Sequence, residues 1–171
     1  MKKYVFKPYN KKFPALFEAE KKRIASQVKN KLIIEHIGST AIPNLGGKGI
    51  IDIAIAAEKS ELESISEQLQ KMGYEFRAPH STPEKLYFRA DLPDREEGIR
   101  RYHIHLMPHG SEDWKGFIAF RDYLRNHPDE AEKYAALKKQ AASDAEEDGK
   151  KYRAQKDPLI QDILKKSFKV D

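Results

Sequence analysis

Phe13, Leu16, Phe17, Ile24 and Val28 recur at the spacing of one helical face, which predicts a helix over residues 12–29. Pro14 suits the first turn of such a helix, where a missing N–H costs nothing. The next apolar run, Lys31 to Ile37, is short and β-branched, so a strand is expected over 31–37, ended by Gly38-Ser39-Thr40. Pro43, Gly46, Gly47 and Gly49 mark 41–49 as a loop. Residues 50–57 (Ile-Ile-Asp-Ile-Ala-Ile-Ala-Ala) read as a second strand, followed by a helix at 59–72 that stops at Gly73. Strands are expected near 74–78, 85–91 and 100–107, with the charged stretch Pro93 to Gly98 turning the last two into a hairpin. From Glu112 onward the pattern is helical and charged, over 113–126, 129–146 and 149–167, with breaks at Pro128 and Gly149. The order of elements predicts an α+β fold: a sheet core over 1–110 and C-terminal helices over 111–171 that pack on it as one unit.

Alternation along the strands sorts side chains into faces. Ile51, Ile53 and Ile55 form a core face, and Asp52, Ala54 and Ala56 oppose them. Tyr102, Ile104 and Leu106 oppose Arg101, His103, His105 and Met107. Leu86, Phe88 and Ala90 oppose Tyr87, Arg89 and Asp91, while Tyr74 and Phe76 oppose Glu75 and Arg77. The polar face therefore collects Asp52, His103, His105, Arg77 and Arg89, a set suited to a metal and a phosphate. An antiparallel sheet with one wetted face gives the two arginines by itself. Asp52 is different, because aspartate is disfavoured within strands.

Composition narrows the picture without overturning it. Hydrophobic residues at 39% and charged residues at 35% describe a soluble globular chain, and 171 residues suffice for a sizeable core. The net charge of +5 favours anionic ligands, but the charges are interspersed, so nucleic acid is an outcome not favoured. With no cysteine, disulfides, zinc–thiolate sites and thiol nucleophiles are excluded. Met1 to Asn10 is basic and lacks an apolar run, so no secretory leader is expected, and no stretch approaches the length of a membrane span. A cytoplasmic location is the expectation.

His103-x-His105 places two imidazoles on one side of a strand, where they can chelate a metal or hold a phosphate. A pair alone falls short of a metal site, which needs at least a third ligand. Asp52 is the candidate.

The segment Glu35-His36-Ile37-Gly38-Ser39-Thr40-Ala41-Ile42-Pro43-Asn44-Leu45, followed by Lys48-Gly49-Ile50-Ile51-Asp52-Ile53, resembles the signature of GrpB-like proteins, members of the nucleotidyltransferase superfamily. Arg101-Tyr102-His103-Ile104-His105-Leu106, Phe120-Arg121-Asp122-Tyr123-Leu124-Arg125, Tyr134-x-x-Leu137-Lys138 and Tyr152-x-x-x-Lys156 continue the likeness in the same order. The resemblance implies a mixed β-sheet with helices on one face plus a C-terminal helical segment. It also implies a Gly-Ser turn whose backbone N–H groups approach a triphosphate, and a strand acid that holds a divalent metal. Some GrpB-like proteins are joined to a dephospho-coenzyme A kinase domain, which implies a coenzyme A or nucleotide context.

On this resemblance Gly38, Ser39, Thr40, Lys48, Arg77 and Arg89 are expected to bind phosphate or nucleotide, and Asp52 and His105 to be catalytic. Asp52, His103 and His105 are the expected metal ligands. Glu35, His36, Arg121, Tyr134, Lys138, Tyr152 and Lys156 are further candidates, the last five on helices that could close the cleft. Position 54 departs from the superfamily, which places a second acid there; it is Ala. Mg²⁺ prefers oxygen ligands, so a mixed Asp/His set suits Mn²⁺ better. Two functions follow: nucleotidyl transfer from an NTP to an unknown acceptor with Mg²⁺ or Mn²⁺, or a non-catalytic nucleotide- or metabolite-binding module.

Overall fold

The computed structural model describes residues 6–145 and 148–169. Of the basic stretch Met1 to Asn10 it therefore covers Phe6 onward. Helix α1 spans Phe13–Gln27, with Pro14 in its first turn and Phe13, Phe17 and Ile24 buried. Strand β1 (Ile33–Ile37) ends at Gly38, and a single 3-10 turn, Ser39–Ala41, follows. Strand β2 is Ile51–Ala57. The helix expected from residue 59 opens as a 3-10 turn, Lys59–Glu61, before α2 (Leu62–Lys71). Strand β3 has only two residues, Glu75–Phe76. It is short because Tyr74 turns into the core and donates from its hydroxyl to Glu20 at 2.6 Å.

Strands β4 (Leu86–Asp94) and β5 (Gly98–Pro108) form a longer hairpin than expected. Pro93 lies inside β4, opposite Ile99, rather than in the turn. Beyond the two residues of β3, β4 has no outer neighbour in the sheet among the described residues, so a proline lacking an N–H breaks no described ladder there. Asp94 closes the turn by accepting from the Glu96 and Glu97 N–H groups at 2.9 and 2.8 Å. The strand order is β1-β2-β5-β4-β3, with β2 and β5 parallel and the other pairs antiparallel. The sheet is thus mixed and the class is α+β.

In the parallel register Ile51, Ile53 and Ile55 lie beside Tyr102, Ile104 and Leu106, so one face of the sheet is continuously apolar. Helices α1 and α2 cover it with Phe17, Ile24, Leu62, Ile65 and Leu69. Each fully buried side chain of this kind is worth roughly 1.5–3 kcal/mol against leaving it exposed.

The opposite face meets helix α3 (Glu112–Asn126), whose start is capped by the Ser111 hydroxyl accepting from the Trp114 N–H. Trp114, Phe117 and Ile118 pack on Ile37, Ala54 and Met107. Helices α4 (Pro128–Ala145) and α5 (Gly149–Lys169) follow. The residue expected to end α4, at 146, lies outside the described residues. Helix α5 runs through Pro158. Tyr123, Leu124, Ala131, Tyr134 and Ile163 share a second apolar cluster with Ile42 and Leu45, so the C-terminal helices pack on the loop after the 3-10 turn. No helix among the described residues is long and apolar enough to cross a membrane.

Candidate functional site

The site is built where β1 stops. Ile37 pairs with Asp52, so the chain leaves the sheet directly beside the acid. Gly38 makes that exit at φ 74°, a left-handed conformation that costs glycine little. A Cβ at this position would fall 2.5 Å from the Asp52 Oδ2, so only glycine lets the backbone come so close. The Ser39 hydroxyl then meets the Gly46-Gly47 loop. A Cβ on Gly47 would lie 2.7 Å from both the Ser39 Oγ and the Lys138 Nζ. Backbone bonds to Lys7, 2.5 Å from the Lys7 N–H to the Gly47 carbonyl and 2.9 Å in return, hold that loop in place.

Asp52 lies on β2 beside His103 of β5, with His105 two residues on. Its Oδ1 is 3.3 Å from the His103 Nδ1 and 3.9 Å from the His105 Nε2. Burial pushes the Asp52 carboxyl up, but hydrogen bonding and charge from the two imidazoles outweigh it, and the acid sits well below its ordinary range. The imidazoles are fenced by aromatic rings. Tyr87 of β4 stands 5.1 Å from each, and Phe117 of α3 is 5.0 Å from His105. Burial, then the Asp52 charge, pushes the Tyr87 hydroxyl up to about 12, so it remains a proton donor.

Cations from three elements gather near Asp52. Lys138 of α4 is only 8% exposed, with its ammonium 5.3 Å from the Tyr134 ring. Lys48 from the loop and Lys156 from α5 both approach the Tyr152 ring, at 4.8 and 4.9 Å. Burial and the neighbouring Lys156 charge press Lys138 down to about 7, against the opposing pull of Asp52. Lys156 is lowered for the same first reason, burial, and also feels Asp52. The acid and the lysines therefore share one electrostatic environment.

Other expected residues lie elsewhere or are otherwise engaged. His36 points to the α1 side of the sheet, where it stacks on Phe17 at 4.7 Å. The Thr40 hydroxyl is 1% exposed and donates to the Ile50 carbonyl at 3.1 Å. It must then accept from the His36 Nε2, 2.9 Å away, so neither side chain is presented to the cleft. Strand parity turns His36 to that side, opposite Ile53, and the 3-10 turn brings Thr40 to it. Arg77 and Arg89 do lie on the polar face, yet both are drawn outward to Glu75, at 2.7 and 3.4 Å. Glu35 faces Ala54 across the β1–β2 pair but is bound by Arg121 at 2.8 Å. Arg121 also donates to the His36 carbonyl, and Arg125 to the Ala41 carbonyl, so these arginines clamp the end of β1 and the 3-10 turn. Tyr87 and Phe117 were absent from the expected set. Tyr87 was findable, since it shares strand parity with Arg89, whereas Phe117 comes into place only when α3 docks.

The donor set does not fit a resident Mg²⁺ ion. Mg²⁺ would need several oxygen ligands. Asp52 is the one carboxylate this stretch of strand offers, because position 54 is Ala and Glu35 is held by Arg121. Among the described residues no group of three or more His, Asp or Glu side chains is disposed to hold a metal ion.

A mixed five-stranded sheet with a glycine-walled turn against a strand acid, capped by C-terminal helices, defines an α+β protein. Residues 3–166 match the family described as GrpB protein, and the chain belongs to that family. It is 35% identical over 154 residues to the UPF0157 protein YqkA of Bacillus subtilis, covering 89% of this chain and 43% of that protein. A UPF0157 protein of Pseudomonas aeruginosa is 34% identical over 92% of this chain and 64% of its own length. The chain thus spans less than two thirds of either relative. A crystal structure of the conserved protein GrpB from Enterococcus faecalis superposes with a TM-score of 0.82 at 28% identity, over 96% of this chain and 98% of that one.

Proposed function

We propose that the cleft binds a nucleoside triphosphate and transfers its nucleotidyl group to a hydroxyl acceptor. The observation that carries this reading is the meeting of the Gly38-Ser39 turn, Asp52 and the His103/His105 pair in one place. The turn offers close backbone approach to phosphate oxygens. The acceptor oxygen attacks the α-phosphorus, the bond from that phosphorus to the bridging oxygen of the β-phosphate breaks, and pyrophosphate leaves. An imidazole oriented by Asp52 takes the acceptor's proton, His105 being the expected base. A dephospho-CoA kinase of Mycolicibacterium paratuberculosis is 28% identical over 184 residues, 88% of this chain and 43% of that protein, and its name agrees with a phosphorylated nucleotide as the ligand here. A cytoplasmic setting, where nucleoside triphosphates are abundant, belongs to the same proposal.

A second reading, binding without turnover, is favoured by Ala54 lying beneath Trp114, Phe117 and Ile118. Asp52→Asn separates the two. Under the first reading the substitution lowers turnover of an NTP with a panel of hydroxyl acceptors by roughly a hundredfold or more, the scale of general-base catalysis lost when the imidazole is no longer oriented. Nucleotide binding without turnover in the wild-type chain, across acceptors and added metals, establishes the second. A wild-type chain that binds no nucleotide sinks both.

A further inference from the structure

We infer that Lys138, with Lys156, Lys48 and the Ser39 hydroxyl, forms a polyphosphate seat that neutralises its ligand without a divalent cation. The inference rests on the phosphorylated ligand proposed above, but not on the nucleotide part or on any turnover.

Phosphoryl chemistry needs positive charge beside the phosphate oxygens, and metal ions are one source of it. Carboxylates are scarce here, whereas cations are not. The position where the superfamily carries a second acid is Ala54, fully buried beneath α3 side chains, so the space for a metal-bridging carboxylate is filled with apolar groups. Its cross-strand neighbour Glu35 is engaged by Arg121.

Lysines arrive instead from the 42–50 loop, from α4 and from α5. The ammonium of Lys138 is the best-buried of them. It has an aromatic face beside it but forms no ion pair with a described carboxylate. An ammonium withdrawn from water without an anion is costly, and an anionic ligand removes that cost. Gly47 leaves the space beside it clear, since any side chain there would strike both the Lys138 Nζ and the Ser39 Oγ. A hydroxyl donor and a buried ammonium side by side are matched to adjacent phosphate oxygens.

The test is calorimetric titration of the full chain with inorganic tripolyphosphate and with ATP, in EDTA and again with Mn²⁺ or Mg²⁺. Tripolyphosphate is expected to bind in EDTA. Lys138→Gln should weaken it roughly ten- to a hundredfold, the value of a charge-assisted hydrogen bond, while Lys138→Arg retains most of it. Lys156→Gln, a change at a less buried position, supplies the same readout should Lys138→Gln fail to fold. Binding that requires the metal overturns the inference, as does unaltered binding by folded Lys138→Gln and Lys156→Gln chains, or no binding under either condition. ATP binding no tighter than tripolyphosphate leaves the seat standing and removes the nucleotide from the proposed function.

Discussion

Gly38 and Asp52 are in contact across the end of the sheet, with the acid's Oδ2 occupying the space that a side chain on residue 38 would need. The contact couples a backbone requirement to a chemical one. The φ of 74° demands glycine on conformational grounds, and the carboxylate demands it on steric grounds.

Gly38→Ala should therefore do two separable things. At φ 74° and ψ −173° the backbone lies in a region open essentially to glycine alone, so an alanine costs on the order of 1–3 kcal/mol, which lowers the midpoint of chemical unfolding. The new methyl also displaces the Asp52 carboxyl, so nucleotide binding and any turnover should fall by more than that stability loss explains. Titration calorimetry on the folded variant checks the second effect. Binding unchanged from wild type would mean that the turn and the acid act independently.

Much of this cleft was legible in the sequence, for a simple reason. A strand has a period of two, so parity alone places Asp52, His103 and His105 on one face, and the parallel register of β2 and β5 brings them together. The glycines of the 42–50 loop were equally visible. What parity cannot show is where a polar side chain finds its partner. Arg77 and Arg89 meet Glu75, and Glu35 meets Arg121, through pairings that exist only after strands and helices dock. Thr40 of the 3-10 turn and His36 of β1 satisfy one another, a local closure that no periodicity describes. The lysine cluster draws on residues 48, 138 and 156, far apart in the chain, so its convergence depends on α4 and α5 packing over the loop.

The buried ion pair of Arg100 and Asp94 supports the loop from outside the cleft. Both side chains are 4% exposed at 2.8 Å, and Arg100 also donates to the Gly49 carbonyl at 2.9 Å. Arg100→Met strands the Asp94 carboxylate and frees the loop beside Lys48. A loss of about 3–5 kcal/mol in unfolding free energy is expected, the range for breaking one side of a buried pair. Urea denaturation checks it, and a loss under about 1 kcal/mol would place the pair among weak surface bridges.

His36 sets a pH limit on stability. Burial first, then the neighbouring arginines, depress its imidazole to about 4 from the ordinary 6.5, against the opposing Asp52 charge. The unfolded chain therefore binds a proton that the folded chain does not between those values, and stability falls as pH drops from 6.5 to 4. The shift is worth on the order of 3 kcal/mol. The lowered carboxylates lose their own contribution from about pH 5 downward and in the same direction, so the histidine slope is read between about pH 5 and 6.5. His36→Gln should flatten the slope in that range, measured by urea midpoints at constant ionic strength. An unaltered slope would assign the proton to another group.

Lys138 gives the cleft its own pH dependence. Burial and Lys156 hold the ammonium at about 7 in the unliganded protein, so above neutrality a growing fraction is neutral. A bound polyphosphate stabilises the charged form, and binding above pH 7 must then take up a proton. Affinity for tripolyphosphate in EDTA should consequently fall as pH rises from about 7 towards 9, by up to roughly tenfold per pH unit from this one group. The sign distinguishes it from the ligand's own ionisation, which adds negative charge with rising pH and would strengthen binding to fixed cations. Lys138→Arg keeps its charge throughout and should lose this part of the fall. Calorimetry in buffers of different ionisation enthalpy measures the proton uptake directly: close to one proton in the wild-type chain well above pH 7, and less by that one proton in Lys138→Arg. Equal uptake in the two chains would show that Lys138 does not titrate against the ligand.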